Sequence, residues 1–191
     1  MAINLNGYRI TVLCEDKNQY DFISSYAKLL GATKINRLTQ AHNNGTVLKH
    51  YPDAAKSYRK YATQNIILVV MIDADEKTIQ ERLREFDEKL YIEKYKLNQN
   101  TRLGNEKILI FVPIRNIESW FYYIDTKNTD GETLKGSDGK LISYKNKYPN
   151  KDIDVNLFAK RLKNEICING LPKNAPSSLR HACNELDRLK N

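Results

Sequence analysis

The sequence predicts an α/β fold, with a mostly parallel central sheet flanked by helices and a helical C-terminal extension. Three observations carry that expectation. Residues 65–72 (NIILVVMI) and 107–112 (KILIFV) are short, nearly continuous apolar runs rich in β-branched residues, as strands buried on both faces are. The segments between such runs carry apolar residues at three- and four-residue spacing. The two kinds alternate as β-α-β-α-β-α-β-α up to residue 124, which is the signature of parallel strands joined by helical crossovers.

The elements follow in order. Residues 8–14 (YRITVLC) read as the first strand, ending at Glu15-Asp16. Residues 19–30 place Tyr20, Phe22, Ile23, Tyr26, Ala27 and Leu30 at helical spacing, with Gly31 as the C-terminal cap. Residues 35–38 form a short second strand. A turn at residues 42–45 precedes a helix reaching residue 62, with Thr46 as a candidate cap and Pro52 disturbing its first half. After the strand at 65–72, residues 76–97 read as a long helix bearing Ile79, Leu83, Phe86 and Leu90. Residues 98–104 are polar. The strand at 107–112 runs into Pro113, whose missing N–H suits a strand end. A helix with Asn116 as its candidate cap spans 116–124.

Residues 1–124 thus make a core unit. Residues 125–191 add a loop insertion and C-terminal helices packed on or extending that core. The insertion, 125–152, is rich in Lys, Asn, Gly and Tyr, with turns at Asp130-Gly131 and Asp138-Gly139. Residues 155–166 and 177–189 read as the final helices. The latter carries an apolar stripe of Leu179, Ala182, Cys183, Leu186 and Leu189.

Composition narrows the function classes. The chain has 191 residues and a formal net charge of +8, an excess that favours polyanions such as nucleic acid. Cys14, Cys167 and Cys183 are too scattered for a disulfide framework or a thiolate zinc site. His42, His50 and His181 are equally dispersed, which argues against imidazole-bound zinc. No apolar run approaches a membrane span, and the N-terminus lacks a basic-then-apolar leader pattern, so a cytoplasmic protein is expected. No GxxxxGK[ST] motif is present for ATP hydrolysis.

The chemistry concentrates at strand ends. Glu15, Asp73, Asp75 and Glu118 all fall at or just beyond the carboxyl end of a predicted strand. In a parallel sheet those ends share one edge, where open α/β sheets bind ligands. Asp73 and Asp75, two residues apart in an extended segment, are expected to project the same way. Four carboxylates brought together repel unless a cation joins them. Magnesium or manganese suits such oxygen ligands and activates water for attack on phosphorus.

This arrangement resembles the Toprim domain of topoisomerases, primases and OLD-family nucleases, a Rossmann-like fold. The matching residues are Glu15 in VLCED and Asp73 with Asp75 in VVMIDAD. The segment VPIRNIESWFYYI is similar to a P…N-I-E-x-W block of small stand-alone Toprim-like proteins, some encoded beside ABC- or SMC-type ATPases in bacterial defence loci. The resemblance covers residues 8–124 and the terminal PSSLRHACNELDRL segment. It implies that Glu15 acts as general acid/base or metal ligand, that Asp73 and Asp75 hold the cation, and that Glu118 completes the site or binds a second ion. OLD-type nucleases place another acidic residue four positions after the first glutamate. Here that position holds Gln19, so the pattern for two metals is incomplete. Arg115 or Lys17 is the candidate for the basic residue that steadies a transition state.

The expected function is therefore divalent-metal-dependent cleavage of phosphodiester bonds in DNA or RNA. The resemblance implies the effector subunit of an anti-phage system with an ABC/SMC-type ATPase partner, and leaves room for homo-oligomers. The alternatives are a non-catalytic Toprim-like subunit that binds nucleic acid or the ATPase, and a phosphohydrolase acting on a small phosphoester. At residue level, Asp75 could simply cap the following helix. Glu15 could pair only with Lys17 or an arginine. Glu118 could be favoured only by the helix dipole. Arg115 suits a phosphate or a neighbouring carboxylate equally. Trp120 is more readily core than a base-stacking platform. Tyr144 and Tyr148, in KLISYKNKYPNK, either stack on bases or belong to a solvated loop.

Overall fold

A computed structural model describes residues 3–38, 43–91, 101–149, 154–166 and 171–190. Four parallel strands form the sheet in the order β2-β1-β3-β4. They are β1 (Arg9–Cys14), β2 (Lys34–Arg37), β3 (Ile66–Met71) and β4 (Ile108–Phe111). Strand β3 is central and apolar throughout, and all six of its residues are buried. It pairs with β1 from Arg9↔Ile66 to Cys14↔Met71. That register brings the ends of β1 and β3 level, so the residues just past Cys14 lie beside those just past Met71.

Alternation splits the strand side chains between two cores. Ile10, Val12, Ile67, Val69, Met71, Leu109 and Phe111 face one side. Leu13, Leu68, Val70, Ile72, Ile108, Ile110 and Val112 face the other. Helices α2 (Asn44–Lys60) and α3 (Ile79–Tyr91) cover the second face. The first is covered by α1 (Lys17–Leu29), α4 (Glu118–Thr126), α5 (Val155–Arg161) and α6 (Ser177–Leu186). Chain direction explains the split. The step from β1 to β2 runs one way along the sheet, and the steps to β3 and β4 run the other way. Right-handed crossovers therefore put α1 on one face and α2 with α3 opposite.

Local chemistry sets the helix ends. Asp16 caps α1 by accepting the Gln19 N–H at 2.9 Å. Asn43, and not Thr46, caps α2; the N–H of Thr46 is the donor, at 2.9 Å. Pro52 lies buried inside α2, which runs through it unbroken. Helix α3 starts at Ile79, three residues later than its apolar spacing suggested. A reciprocal capping box explains the delay: Thr78 N–H donates to Glu81 Oε2 at 2.7 Å and Glu81 N–H to Thr78 Oγ at 3.2 Å. The far end expected for that helix, residues 92–97, lies outside the described residues. Asn116 does not cap α4 through its side chain; its amide instead donates to Ser143 at 3.0 Å.

Parts of the segment after residue 125 join the core. Tyr144 stacks on Tyr122 with ring centroids 4.2 Å apart. Tyr148 meets Phe121 and Phe158 edge-on. Both tyrosines are buried, so neither the base-stacking nor the solvated-loop expectation holds for them. Trp120 is core, with its Nε1–H donating to Ser178 Oγ at 2.6 Å. Among the described residues no helix is long and apolar enough to cross a membrane.

Candidate active site

The order β2-β1-β3-β4 opens a crevice at the carboxyl ends of β1 and β3, where successive connections diverge. Glu15 leaves β1 at that point and Asp73 lies two residues beyond β3. Their contacts interlock. Glu15 Oε1 accepts the backbone N–H of Asp73 at 2.9 Å. The N–H of Glu15 donates to Gln19 Oε1 at 3.0 Å, and Gln19 Nε2 donates to Asp73 Oδ1 at 2.8 Å. Gln19 is fully buried and Asp73 is 2% exposed. The first turn of α1 thus ties the two strand ends together.

Glu118 enters from the start of α4 and is 2% exposed. Its Oε1 accepts from Asn18 Nδ2 at 3.5 Å, while Oε2 is buried with no hydrogen-bond partner. A lone carboxylate oxygen in such a place is costly. Burial pushes the Glu118 carboxyl above its usual range. Asp73 is raised well above its ordinary value, first by burial and then by the charges of Glu15, Asp16 and Glu118. Burial also drives Glu15 up to about 7, against the pull of its bond from Asp73 and with help from Asp75 and Asp16. Asp73 is thus repelled by both Glu15 and Glu118, and all three are poorly solvated acids on one edge.

Asp75 does not join them. Its backbone turns left-handed, with φ at +54°. Continued extension would have set its side chain beside that of Asp73. Instead Asp75 accepts from Asn44 Nδ2 at 2.8 Å and from Arg82 Nη2 at 3.0 Å, groups carried by the helices of the opposite face. Its N–H donates to the carbonyl of Arg115 at 3.1 Å. The expectation that both aspartates project together is thus corrected. Asp75 is not the cap of α3 either, since Thr78 has that place.

Neither predicted cation faces the carboxylates. Arg115 lies 3.8 Å from Glu76, the neighbouring-carboxylate alternative, and Lys17 lies 2.5 Å from Asp21. The positive charge felt by both Asp73 and Glu118 is that of Lys145. Its only sequence signal was membership of a Lys/Tyr-rich loop. The loop is anchored next to the site by the bond from Asn116 to Ser143 and by the burial of Tyr144.

Among the described residues no three His, Cys, Asp or Glu side chains lie close enough together to hold a metal ion. Side-chain amides, those of Gln19 and Asn18, hold the carboxylates in this arrangement. The donor chemistry is nevertheless that of a hard divalent cation: carboxylate oxygens disfavoured as bare anions, one of them buried with no hydrogen-bond partner. No family model, curated protein or solved structure matches this chain.

Proposed function

We propose that this chain is a divalent-metal-dependent nuclease of Toprim type that cleaves phosphodiester bonds in DNA or RNA. One observation supports the reading most: Asp73, buried at the crevice between β1 and β3, donates its N–H to Glu15 and feels the charge of Glu118, whose buried Oε2 has no hydrogen-bond partner. Buried acids of this kind have no use in binding a polyanion, which they repel, but suit a cation that binds phosphate.

Glu15, Asp73 and Glu118 would hold Mg²⁺ or Mn²⁺. Bound there, the ion would acidify water and neutralise charge on the scissile phosphate. The chain's own groups do the rest. Where Glu15 serves as general acid/base and not as a ligand, its carboxyl, pushed up to about 7 in the metal-free protein, can take and return a proton near neutrality. Lys145 sets a positive charge beside the acids and draws the phosphate towards them. Asp75, paired with Arg82, adds negative potential behind Glu15 without competing as a ligand. The resemblance to defence-locus proteins supports an ABC- or SMC-type ATPase as partner, with nucleic acid as substrate.

A second reading is a non-catalytic subunit that binds nucleic acid or the ATPase. It is favoured by Gln19, a neutral amide where the OLD pattern has an acid. Cleavage of plasmid, single-stranded DNA and RNA separates the two, in Mg²⁺ or Mn²⁺ against EDTA. Metal-dependent cleavage that drops at least ~10²-fold in Asp73→Ala and Asp73→Asn, with nucleic-acid binding retained, is the expected result. Binding without cleavage under any metal, with and without the ATPase, would overturn the catalytic reading. Cleavage confined to mononucleotides or small phosphoesters would replace it with a phosphohydrolase.

A further inference from the structure

We infer that the free edge of β2 takes up an extended segment of a partner protein, with side chains alternately apolar and acidic, as a further strand of the sheet. Binding there needs neither the metal nor the cleavage proposed above. The two edges of the sheet differ. At β4, side chains occupy outward backbone groups: Glu185 accepts the Ile110 N–H at 2.8 Å, and Arg102 donates to the Ile108 carbonyl at 2.8 Å. At β2, pairing to β1 continues through the bond from Leu38 N–H to the Val12 carbonyl at 2.8 Å. In a parallel ladder that register turns the N–H and C=O of Asn36 towards β1 and those of Ile35 and Arg37 outwards. Among the described residues none bonds to these outward groups. An open row of this kind is a template for another strand.

Strand β2 also stands between two clefts. On the side of α2, a cleft of about 540 Å³ lies over Leu13, Ile66 and Leu68, beside Leu38 and Tyr61. Leu38 and Tyr61 are large apolar residues left 36% exposed. On the side of α1, a polar cleft of about 500 Å³ is lined by Lys17, Ser24, Ser25, Lys28, Thr33 and Ile35. The buried Oγ of Ser24 has no hydrogen-bond partner. Both volumes fall in the range of known binding sites, ~300–1,000 Å³. Successive residues of an extended segment point to opposite faces. A strand paired with β2 would set apolar side chains over Leu13, Leu68 and Tyr61, and the alternate ones among the hydroxyls and lysines beside α1. Charge fixes the sign of the latter. The acids of the α1 cleft are engaged, Asp21 by Lys17 and Asp154 by the Leu157 N–H. Lys28 and Lys34 are exposed, and among the described residues they make no ion pair. On the α2 side Arg9 offsets Asp53. A second copy is disfavoured, because Lys34 and Arg37 of one β2 would face those of the other, and like charges across a strand pair repel.

The probes are two end-labelled peptides of about eight residues, one alternating valine with glutamate and the other valine with lysine. Fluorescence anisotropy measures their binding to the full chain in EDTA, and amide hydrogen exchange locates it. The valine–glutamate peptide is expected to bind saturably, at least ~10-fold more tightly than its lysine counterpart, and to slow exchange in β2. Ile35→Pro removes an outward N–H, a change an edge strand tolerates, and is expected to weaken that peptide about 10-fold. Lys28→Glu changes an exposed helix position and guards against an Ile35→Pro protein that fails to fold. It is expected to narrow or reverse the preference between the peptides. Neither peptide bound, equal affinity for both, or slowed exchange elsewhere than β2 would overturn the assignment. So would native affinity in folded Ile35→Pro, or an unchanged preference in Lys28→Glu. Dimers of the free chain that protect β2 would overturn it too, by placing a second copy on this edge.

Discussion

At the scale of single residues, Glu15 and Asp73 make the site sensitive to pH. A carboxyl group raised by burial holds its proton more tightly when folded than when unfolded. Ionising it therefore costs native stability, and the loss runs from its ordinary pKa up to the folded one. For Glu15 that window is 4.5 to about 7, a cost on the order of 3 kcal/mol. Asp73 acts in the same direction. In EDTA the melting temperature is expected to fall between pH 5 and 7, and Glu15→Gln is expected to flatten that fall; an equal slope in the variant would remove Glu15 as its source. Millimolar Mg²⁺ should restore the native protein above pH 6 and do little for Glu15→Gln. Glu15 and Asp73 were legible in the sequence because each directly follows a strand whose pattern is unmistakable. The direction of Asp75 was not, since it depends on a left-handed φ of +54° in a non-glycine residue. Gln19 read only as a departure from a pattern, because the value of an amide lies in partners 54 residues away.

At the scale of elements, the clearest device is the way α6 closes the free edge of β4. Glu185 accepts the N–H of Ile110 at 2.8 Å, and His181 Nε2 lies 3.0 Å from the carbonyl of the same residue. Arg102 donates to the carbonyl of Ile108 at 2.8 Å and pairs with Glu185. Side chains thus satisfy backbone groups that a fifth strand would otherwise take, which blocks edge-to-edge association. Glu185→Ala leaves the half-buried Arg102 without its carboxylate partner. It is expected to cost about 3–5 kcal/mol in urea unfolding and to raise light scattering on mild heating; an unchanged midpoint would show the clamp to be dispensable. Thr78→Ala, which breaks the capping box of α3, is a milder change of about 1 kcal/mol by the same measurement. The existence and order of the described helices and strands followed from periodicity. Their ends did not always follow, because Asn43 outcompeted Thr46 and the Thr78–Glu81 box outcompeted the apolar spacing.

At the scale of the whole molecule, the excess of +8 charges lets the proposed nucleic-acid binding be tested through its salt dependence, apart from catalysis. Affinity for a short duplex, measured in EDTA, is expected to fall at least ~10-fold between 50 and 200 mM salt. Lys145→Ala should lower the slope, as a lost phosphate contact does; an unchanged slope would place the polyanion elsewhere. The sequence by itself determined the α/β class, the parallel character of the sheet and the strand ends at which acids stand. Those follow from short-range pattern: continuous apolar runs must be buried, and helical spacing must cover them. Only the tertiary structure decided that β1 and β3 lie side by side in register, so that Glu15 meets the backbone of Asp73. It alone put Asp75 against Arg82, drew Tyr144 and Tyr148 into the core and brought the charge of Lys145 to the acids. The physical reason is the same in each case. Strand order, a left-handed turn and a loop's anchor are set by contacts between residues distant in the chain, and local spacing does not encode which distant partner a side chain will meet.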